Sequence, residues 1–384
     1  MQFAKHVEVK ETLNASVSEN ADGFLQLKQY VLKGEIGKGA FGKVHYAVDD
    51  TTKTEYAVKE FSKFKLRKKD KANLFKLGPR GRGRGRRGPE APSPVSTESS
   101  PLDLIRGEVA ILKKLNHPNI VKLYEVLDIA DGDSMYMVFE WCEKGVLMPV
   151  TLTTEYESLF TDAECRDIFQ QIVLGIEYLH EHDIVHRDIK PDNLLRSADG
   201  TVKIVDFGVS EMFDKKGNDM TRKPAGSPAF MAPELCKVDH GEVSGKATDV
   251  WSIGVTLYCL RYGRLPYVSE SIYEMQRVIR EEEFVVPETE KDPRFITLIN
   301  RLLEKDPVKR ITIDELRDDP WLTNNGTETM ITKEENTEHA VTEVTEQDLK
   351  DAIHKVNSLI TVVRFLSPPP FFRRCTTQIR KRRA

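Results

Sequence analysis

The sequence predicts an α+β fold in two lobes, a small antiparallel-sheet lobe followed by a larger, mainly helical lobe. Three observations predict it. The runs Tyr30 to Ile36, Val44 to Val48 and Glu55 to Phe61 alternate and carry β-branched or aromatic residues, as strands of a half-buried sheet do. Runs at helical spacing fill the second half of the chain. Between the first two strands lies a glycine loop, Gly37-Lys38-Gly39-Ala40-Phe41-Gly42-Lys43-Val44, which leads into a strand and not into a helix, against a doubly wound dinucleotide fold.

Taken in order, Met1 to Leu27 is polar and aperiodic, and residues 1–27 are expected to form a flexible leader. Order is expected from Tyr30, and one domain is expected over residues 30–322. After the third strand comes an Arg/Gly/Pro-rich insert over residues 67–101, with Arg80-Gly81-Arg82-Gly83-Arg84-Gly85-Arg86-Arg87 at its centre. Leu102 to Leu115 returns to helical spacing, and Met135 to Phe139 reads as a strand. Asp162 to His180 reads as a helix with Thr161 or Asp162 as N-cap, and Asp249 to Tyr262, Ile272 to Arg280, Phe295 to Leu303 and Ile313 to Arg317 as further helices. Beyond Trp321 the chain turns acidic, through Glu328, Glu334, Glu335, Glu338 and Glu343. Residues 323–343 are therefore expected to be a linker, and 344–384 a regulatory tail.

Composition narrows the class. With 384 residues, 39% hydrophobic and 31% charged, the chain suits a water-soluble core, and a net charge of -4 selects no partner. Its five cysteines form no CxxC pair and no metal spacing, which points to a reducing compartment, the cytoplasm and also the nucleus. Met1 to Lys10 has no apolar signal core, and no stretch approaches the roughly 18 apolar residues that cross a bilayer, so no membrane partner is expected. The Arg/Gly run is compatible with nuclear import, RNA binding or a solvated loop. Its position inside a lobe favours docking of a protein, and nucleic acid is not expected as a partner.

The chemistry concentrates in His186-Arg187-Asp188-Ile189-Lys190-Pro191-Asp192-Asn193, followed by Asp206-Phe207-Gly208. A base, a cation and two metal ligands stand there at fixed spacing, which points to phosphoryl transfer, a reaction catalysed by alignment and charge neutralisation. A glycine turn lets backbone N–H groups approach phosphates, and Lys59 in Ala57-Val58-Lys59 follows at strand spacing to add positive charge. Glu108 is its expected partner: it is the only Glu between Leu102 and Leu115, and Asp103 is shorter and more than a turn upstream.

These motifs, with Ala232-Pro233-Glu234, stand in the order of the eukaryotic protein kinase fold, and the chain resembles that family from Tyr30 to Leu322. The resemblance implies ATP and Mg2+ as cofactors. It gives Asp188 the hydroxyl proton, Lys190 the moving phosphate, and Asn193 and Asp206 the magnesium. Ile36, Gly37, Lys38, Gly39, Ala40, Phe41, Gly42, Lys43 and Val44 would cover the nucleotide, and Lys59 would meet its α and β phosphates. Glu140 and Cys142, after a gatekeeper Phe139, would offer backbone groups to adenine. Lys190 and Gly226-Ser227-Pro228 resemble the Ser/Thr branch, and Val209 accompanies a preference for Thr acceptors. Asp249, Trp251 and the pair Arg310 and Glu234 match as supports of the fold, without chemistry.

The insert, Glu143-Lys144-Gly145-Val146-Leu147-Met148 and Ser227-Pro228-Ala229-Phe230-Met231-Ala232 resemble the calcium/calmodulin-dependent protein kinase kinases. The implied substrate is another protein kinase, phosphorylated on an activation-loop Thr. Val146 stands where many kinases that select a nearby Arg carry Glu. Lys223 stands where many kinases carry a phosphorylated residue, so the loop is expected to order without that switch, with Thr221 left as a further site. In the tail, Ile353, Val356, Leu359, Ile360 and Val363 share one helical face, and residues 352–384 are expected to bind calcium-calmodulin or to pack on the lobe, although Pro368-Pro369-Pro370 interrupts the helix. Two other readings are another kinase of the wider calmodulin-dependent or AMP-activated group, and a pseudokinase scaffold. The insert speaks against the first, and the joint presence of Lys59, Asp188, Asn193 and Asp206 against the second.

Overall fold

A computed structural model describes residues 8–38, 42–65, 101–129, 132–153, 159–213, 217–222, 225–237 and 239–338. Gly39, Ala40 and Phe41 of the glycine loop, nearly all of the insert, Lys223 and the tail 344–384 lie outside the described residues.

The first lobe is one eight-stranded sheet built from β1 (Lys10–Leu13), β2 (Val17–Glu19), β3 (Leu25–Leu27), β4 (Tyr30–Lys38), β5 (Gly42–Asp49), β6 (Glu55–Ser62), β7 (Leu123–Asp128) and β8 (Ser134–Glu140), in the spatial order β1-β7-β8-β6-β5-β4-β3-β2. The antiparallel register pairs Val44 with Lys59 and Lys59 with Met137, so Lys59 sits in mid-sheet with a rigid strand on each side. Helix α1 (Pro101–Lys114) lays Ile105, Val109 and Leu112, spaced four and three apart, into a core shared with Phe61, Met137 and Phe139. That packing holds Glu108, next to Val109, against the sheet.

Order begins well before Tyr30, which corrects the expected leader. β1 runs parallel to β7 at one edge of the sheet, while β2 and β3 extend the other edge. Edge strands need little apolar surface, because the ladder satisfies their backbone and the outer side chains face water. Ala15 and Leu27 join a small apolar core with Tyr30, Leu32 and Leu127, and polar contacts do the rest. Buried Glu125 accepts from Thr12, from Lys28 Nζ at 2.7 Å and from the Tyr30 hydroxyl at 2.8 Å, and Glu11 pairs with Lys113 on α1. A reading that looks for hydrophobic periodicity has no signal for such a segment.

The second lobe is helical: α2 (Asp162–Glu181), α3 (Gly245–Tyr262), α4 (Ile272–Glu281), α5 (Pro293–Leu302), α6 (Ile313–Leu316) and α7 (Lys333–Thr337). Thr161 is the N-cap of α2, in a reciprocal capping box with Glu164. α3 ends at Gly263, whose φ of 68° is the left-handed conformation that glycine adopts freely. α3 approaches α5 so closely at Gly254 that an added Cβ would stand 2.8 Å from Leu302 Cβ. Ile168, Phe169, Ile172, Ile176 and Leu179 of α2 are fully buried. Each contributes about 1.5–3 kcal/mol of burial.

The acidic segment after Trp321 is also more than a linker. Asn336 of α7 is fully buried. It donates to the Leu174 carbonyl at 2.9 Å and to Glu177 Oε2 at 2.8 Å, while its own oxygen lies 2.8 Å from His117 Nε2. Acidic residues outline the exposed side, and Asn336 adds a buried attachment to the surface ties of Glu328 to Arg166 and of Lys333 to Glu181.

Three short ladders carry the loops between the lobes: β9 (Ile184–Val185) with β12 (Glu211–Met212), β10 (Leu194–Arg196) with β11 (Val202–Ile204), and β13 (Met220–Thr221) with β14 (Val243–Ser244).

Candidate active site

Lys59 projects from mid-sheet to two carboxylates, Glu108 Oε1 at 2.8 Å and Asp206 Oδ1 at 3.3 Å. Burial works against a charge on Lys59, but the two carboxylates outweigh it and hold the ammonium above its ordinary pKa. Reciprocally, the Lys59 charge holds the Asp206 carboxyl below the usual range. The site thus keeps a cation and an anion side by side at neutral pH.

Asp206 has a φ of 65°, a left-handed backbone that is strained for a residue with a Cβ. Its loop is tied to the other predicted metal ligand by the Val205 N–H, which donates to the Asn193 carbonyl at 3.0 Å. Asn193 spends its side-chain amide on Asp188, reaching the Asp188 carbonyl at 2.8 Å and Oδ2 at 3.0 Å. That leaves Asn193 Oδ1 as its oxygen donor. Asp206, half exposed, and Asn193 Oδ1 together fit magnesium, which takes hard oxygen ligands, usually one or two from protein with phosphates and water completing the shell. Among the described residues no group of three or more His, Cys, Asp or Glu side chains is placed to hold a metal ion.

Asp188 is fixed on both oxygens. The Ser227 N–H donates to Oδ1 at 2.8 Å, while Asn193 and Lys190 Nζ, at 3.1 Å, reach Oδ2. Lys190 also donates to the Ser227 hydroxyl at 2.6 Å. The close approach of these two loops requires glycine at Gly226: its φ is 99°, and a Cβ there would run into the Arg187 carbonyl. A carboxylate so oriented can accept a proton from a hydroxyl placed before it, with Lys190 beside it to meet negative charge.

His186 and Arg187 set the loop itself. The His186 ring is buried edge-on to Phe207, with centroids 4.9 Å apart, and burial lowers its pKa. Nε2 meets the Val205 carbonyl at 3.0 Å and Nδ1 the Asp188 N–H at 3.3 Å, which assigns the neutral ring with its proton on Nε2. Arg187 has a φ of 68°, and its guanidinium donates to the Val209 carbonyl at 2.6 Å and to Glu211 at 2.8 Å.

Two residues read from the sequence only as supports or family markers belong to the site. Asp249 on α3 accepts the His186 N–H at 2.9 Å and the Arg187 N–H at 2.8 Å, so it holds the strained turn directly. Ser227 aligns Asp188 through its amide and Lys190 through its hydroxyl. Neither announces itself in composition, because each acts through a backbone group brought from far along the chain. Arg310 and Glu234 pair as expected, bidentate at 2.8 and 2.9 Å, below that loop.

The nucleotide-side residues divide. Gly37 pairs with Val44 and Lys38 with Lys43, Ile36 falls at a register irregularity, and Gly42 pairs with Phe61 of β6, where an added Cβ would collide with the Glu60 carbonyl. Lys43 pairs with Glu35 at 2.6 Å. Glu140 gives its N–H to the Lys122 carbonyl at 3.0 Å and its carboxylate to Lys203 at 2.9 Å, so its carbonyl is what it can offer a base. The Cys142 carbonyl accepts from the Gly145 N–H at 3.0 Å, which leaves the Cys142 N–H. Burial pushes the Cys142 thiol up to about 11, so it stays protonated and inert.

The protein kinase domain family model matches residues 93–322. That span includes Glu108, Asp188, Asn193 and Asp206, and the place of Lys59 rests on its geometry. A calcium/calmodulin-dependent protein kinase kinase of Emericella nidulans is 47% identical over 90% of this chain and 68% of its own length. A protein of the same description from Caenorhabditis elegans is 39% identical over 91% of this chain and 62% of its own length. A probable serine/threonine-protein kinase of Dictyostelium discoideum is 39% identical over 90% of this chain and 44% of its own length. The chain therefore spans between under half and about two thirds of these relatives.

Proposed function

Since the chain belongs to the protein kinase domain family and is a serine/threonine-protein kinase related to the calcium/calmodulin-dependent protein kinase kinases, we propose that it transfers the γ-phosphate of ATP to an activation-loop threonine of another protein kinase. The observation that carries the reading is Asp188, held between the Ser227 N–H and the Asn193 amide in the same contact network as Lys59 and Asp206. In it Asp188 orients the acceptor hydroxyl and takes its proton. Lys190 faces the phosphate as charge moves, and Lys59, braced by Glu108, holds the α and β phosphates. Asp206 and Asn193 Oδ1 would hold magnesium, which would supply positive charge to the phosphate oxygens. The Glu140 carbonyl and the Cys142 N–H take the adenine edge.

A groove of about 440 Å3 lined by Lys190, Asn193, Ser227, Pro228, Phe230 and Met275 opens beside this loop and gives room for an extended peptide segment. The test is transfer from radiolabelled ATP to a catalytically inactive domain of a calmodulin-dependent or AMP-activated-type kinase. Label on the activation-loop threonine, lost in Asp188→Asn, is the expected result; label elsewhere, or equal label from the variant, overturns the reading.

The proposal includes calcium-calmodulin as a partner of residues 352–384, supported by the descriptions of the Emericella and Caenorhabditis relatives. Rates with and without calcium-calmodulin, for the full chain and for one ending at Glu338, test it. Equal rates in all arms remove calmodulin. Glu338 is the proper end point, because a cut at Leu322 would remove the buried Asn336.

A further inference from the structure

We propose that Glu211 is the positioning anion of this active site, a carboxylate built into the chain that clamps Arg187 to two parts of the activation segment that runs from Asp206 to Glu234. The inference rests on the kinase reading above and names a residue that reading does not use.

Arg187 precedes Asp188, and its guanidinium is only 9% exposed. A buried guanidinium needs a compensating charge, and Glu211 Oε2 supplies one at 2.8 Å. The same oxygen accepts the Thr221 hydroxyl at 2.8 Å, and Thr221 is itself buried. Each of the three groups is anchored to a different piece of backbone. Arg187 follows β9, Glu211 lies on β12 paired with Val185, and Thr221 lies on β13 paired with Val243. One carboxylate thus links the catalytic loop, the first part of the activation segment and its later part. Shortly after Thr221 the chain reaches Gly226 and Ser227, whose N–H fixes Asp188. The clamp and the catalytic carboxylate are coupled most directly through the single peptide unit between Arg187, held by Glu211, and Asp188. Cross-linking of this kind is what an added phosphate does in a switched segment. Here the anion comes with the fold.

The arrangement also predicts the effect of charge at position 221. An acid there stands against Glu211 as a like charge, but it takes over the role of Glu211 when that carboxylate is gone. The same substitution should harm one background and help the other.

The test uses the full chain with Glu211→Ala, Glu211→Gln, Thr221→Glu and the double variant Glu211→Ala with Thr221→Glu. Initial rates are separated into kcat and KM, and amide hydrogen exchange is followed at residues 209–213 and 220–222. Both Glu211 variants are expected to lose kcat by about ten-fold or more with KM for ATP within about two-fold, as loss of a charge-assisted contact implies. Thr221→Glu alone should lower kcat, and in the Glu211→Ala background it should raise kcat several-fold. Exchange at both segments should quicken by about ten-fold or more in Glu211→Ala while α3 stays protected. A kcat within two-fold of the parent in Glu211→Ala, or the same sign for Thr221→Glu in both backgrounds, overturns the clamp. Exchange reads the clamp whatever the chain phosphorylates: unchanged exchange overturns it even if the parent transfers no phosphate, a result that would sink the kinase reading separately.

Discussion

Asp249 Oδ1 accepts the backbone N–H of Arg187 at 2.8 Å, at a residue whose φ is 68°. The other oxygen takes the His186 N–H and stands 2.9 Å from His180 Nε2. A fully buried carboxylate on the central helix thus stabilises a backbone conformation that Arg187 would otherwise avoid, one residue before Asp188.

Asp249→Asn should therefore act on turnover more than on fold. One acceptor becomes a donor facing a donor, so one buried N–H loses its partner, at a cost of about 1–3 kcal/mol. We expect kcat to fall by about 10²-fold while circular dichroism still reports a folded chain. A variant with kcat within two-fold of the parent would show that the turn is held by something else.

Lys59→Met removes the cation between Glu108 and Asp206. Two carboxylates then face each other without compensation, and the nucleotide loses its partner charge. Transfer should drop by about 10²-fold or more, in the range by which positioned charges contribute. Lys59→Arg should recover little, because a planar fork does not replace a compact ammonium in this gap. Full recovery by arginine would contradict the assignment.

Asp206→Asn keeps the shape and removes the anion. Magnesium titrations of the rate should shift to much higher concentration or lose saturation, with peptide binding unchanged. An identical magnesium curve would remove Asp206 from the metal site.

Asn336→Ala cuts three buried contacts of α7. A loss of about 2–4 kcal/mol is expected, read as a lower Tm, because three buried hydrogen bonds of about 0.5–1.5 kcal/mol each are lost, while Glu177, His117 and the Leu174 carbonyl in mid-α2 keep other partners. Below the transition, kcat should stay near the parent value. An unchanged Tm would mean that α7 is not bolted to the lobe in solution.

Glu125 gives a pH dependence. Burial opposes its charge, but hydrogen bonds from Lys28, Thr12 and Tyr30 outweigh burial and hold its pKa below the ordinary value. A depressed carboxylate stabilises the fold above its unfolded pKa of about 4.3, and that contribution is lost as pH falls through the folded value. The Tm gap between the parent and Glu125→Gln should be constant above about pH 5 and close below about pH 4. A gap independent of pH would exclude a charged Glu125 as the clamp on β1.

Much of this molecule was legible in its sequence. The period of the strands around Lys59 and of α1 to α5 marks the elements, since periodicity is a local property that burial imposes on each segment. The grouping of Asp188, Lys190, Asn193 and Asp206 was legible because the proposed phosphoryl transfer demands particular residue types at short spacing. Glu108 was legible by elimination on one helix. Three things were not. The strands before Tyr30 lie at the two margins of the sheet, where Glu125 bonds Thr12 and Lys28, the segment after Trp321 is tied down by Asn336 together with Arg166, Gln170 and Lys333, and Asp249, Ser227 and Glu211 act on the site from distant stretches of chain. These are pairings between groups far apart in the chain, and no local pattern encodes them. The sequence by itself determined which groups the proposed chemistry calls for and on which elements they ride. Only the tertiary structure decided what holds them in place, because a strained turn or a buried charge is stabilised by whichever partner packing brings to it.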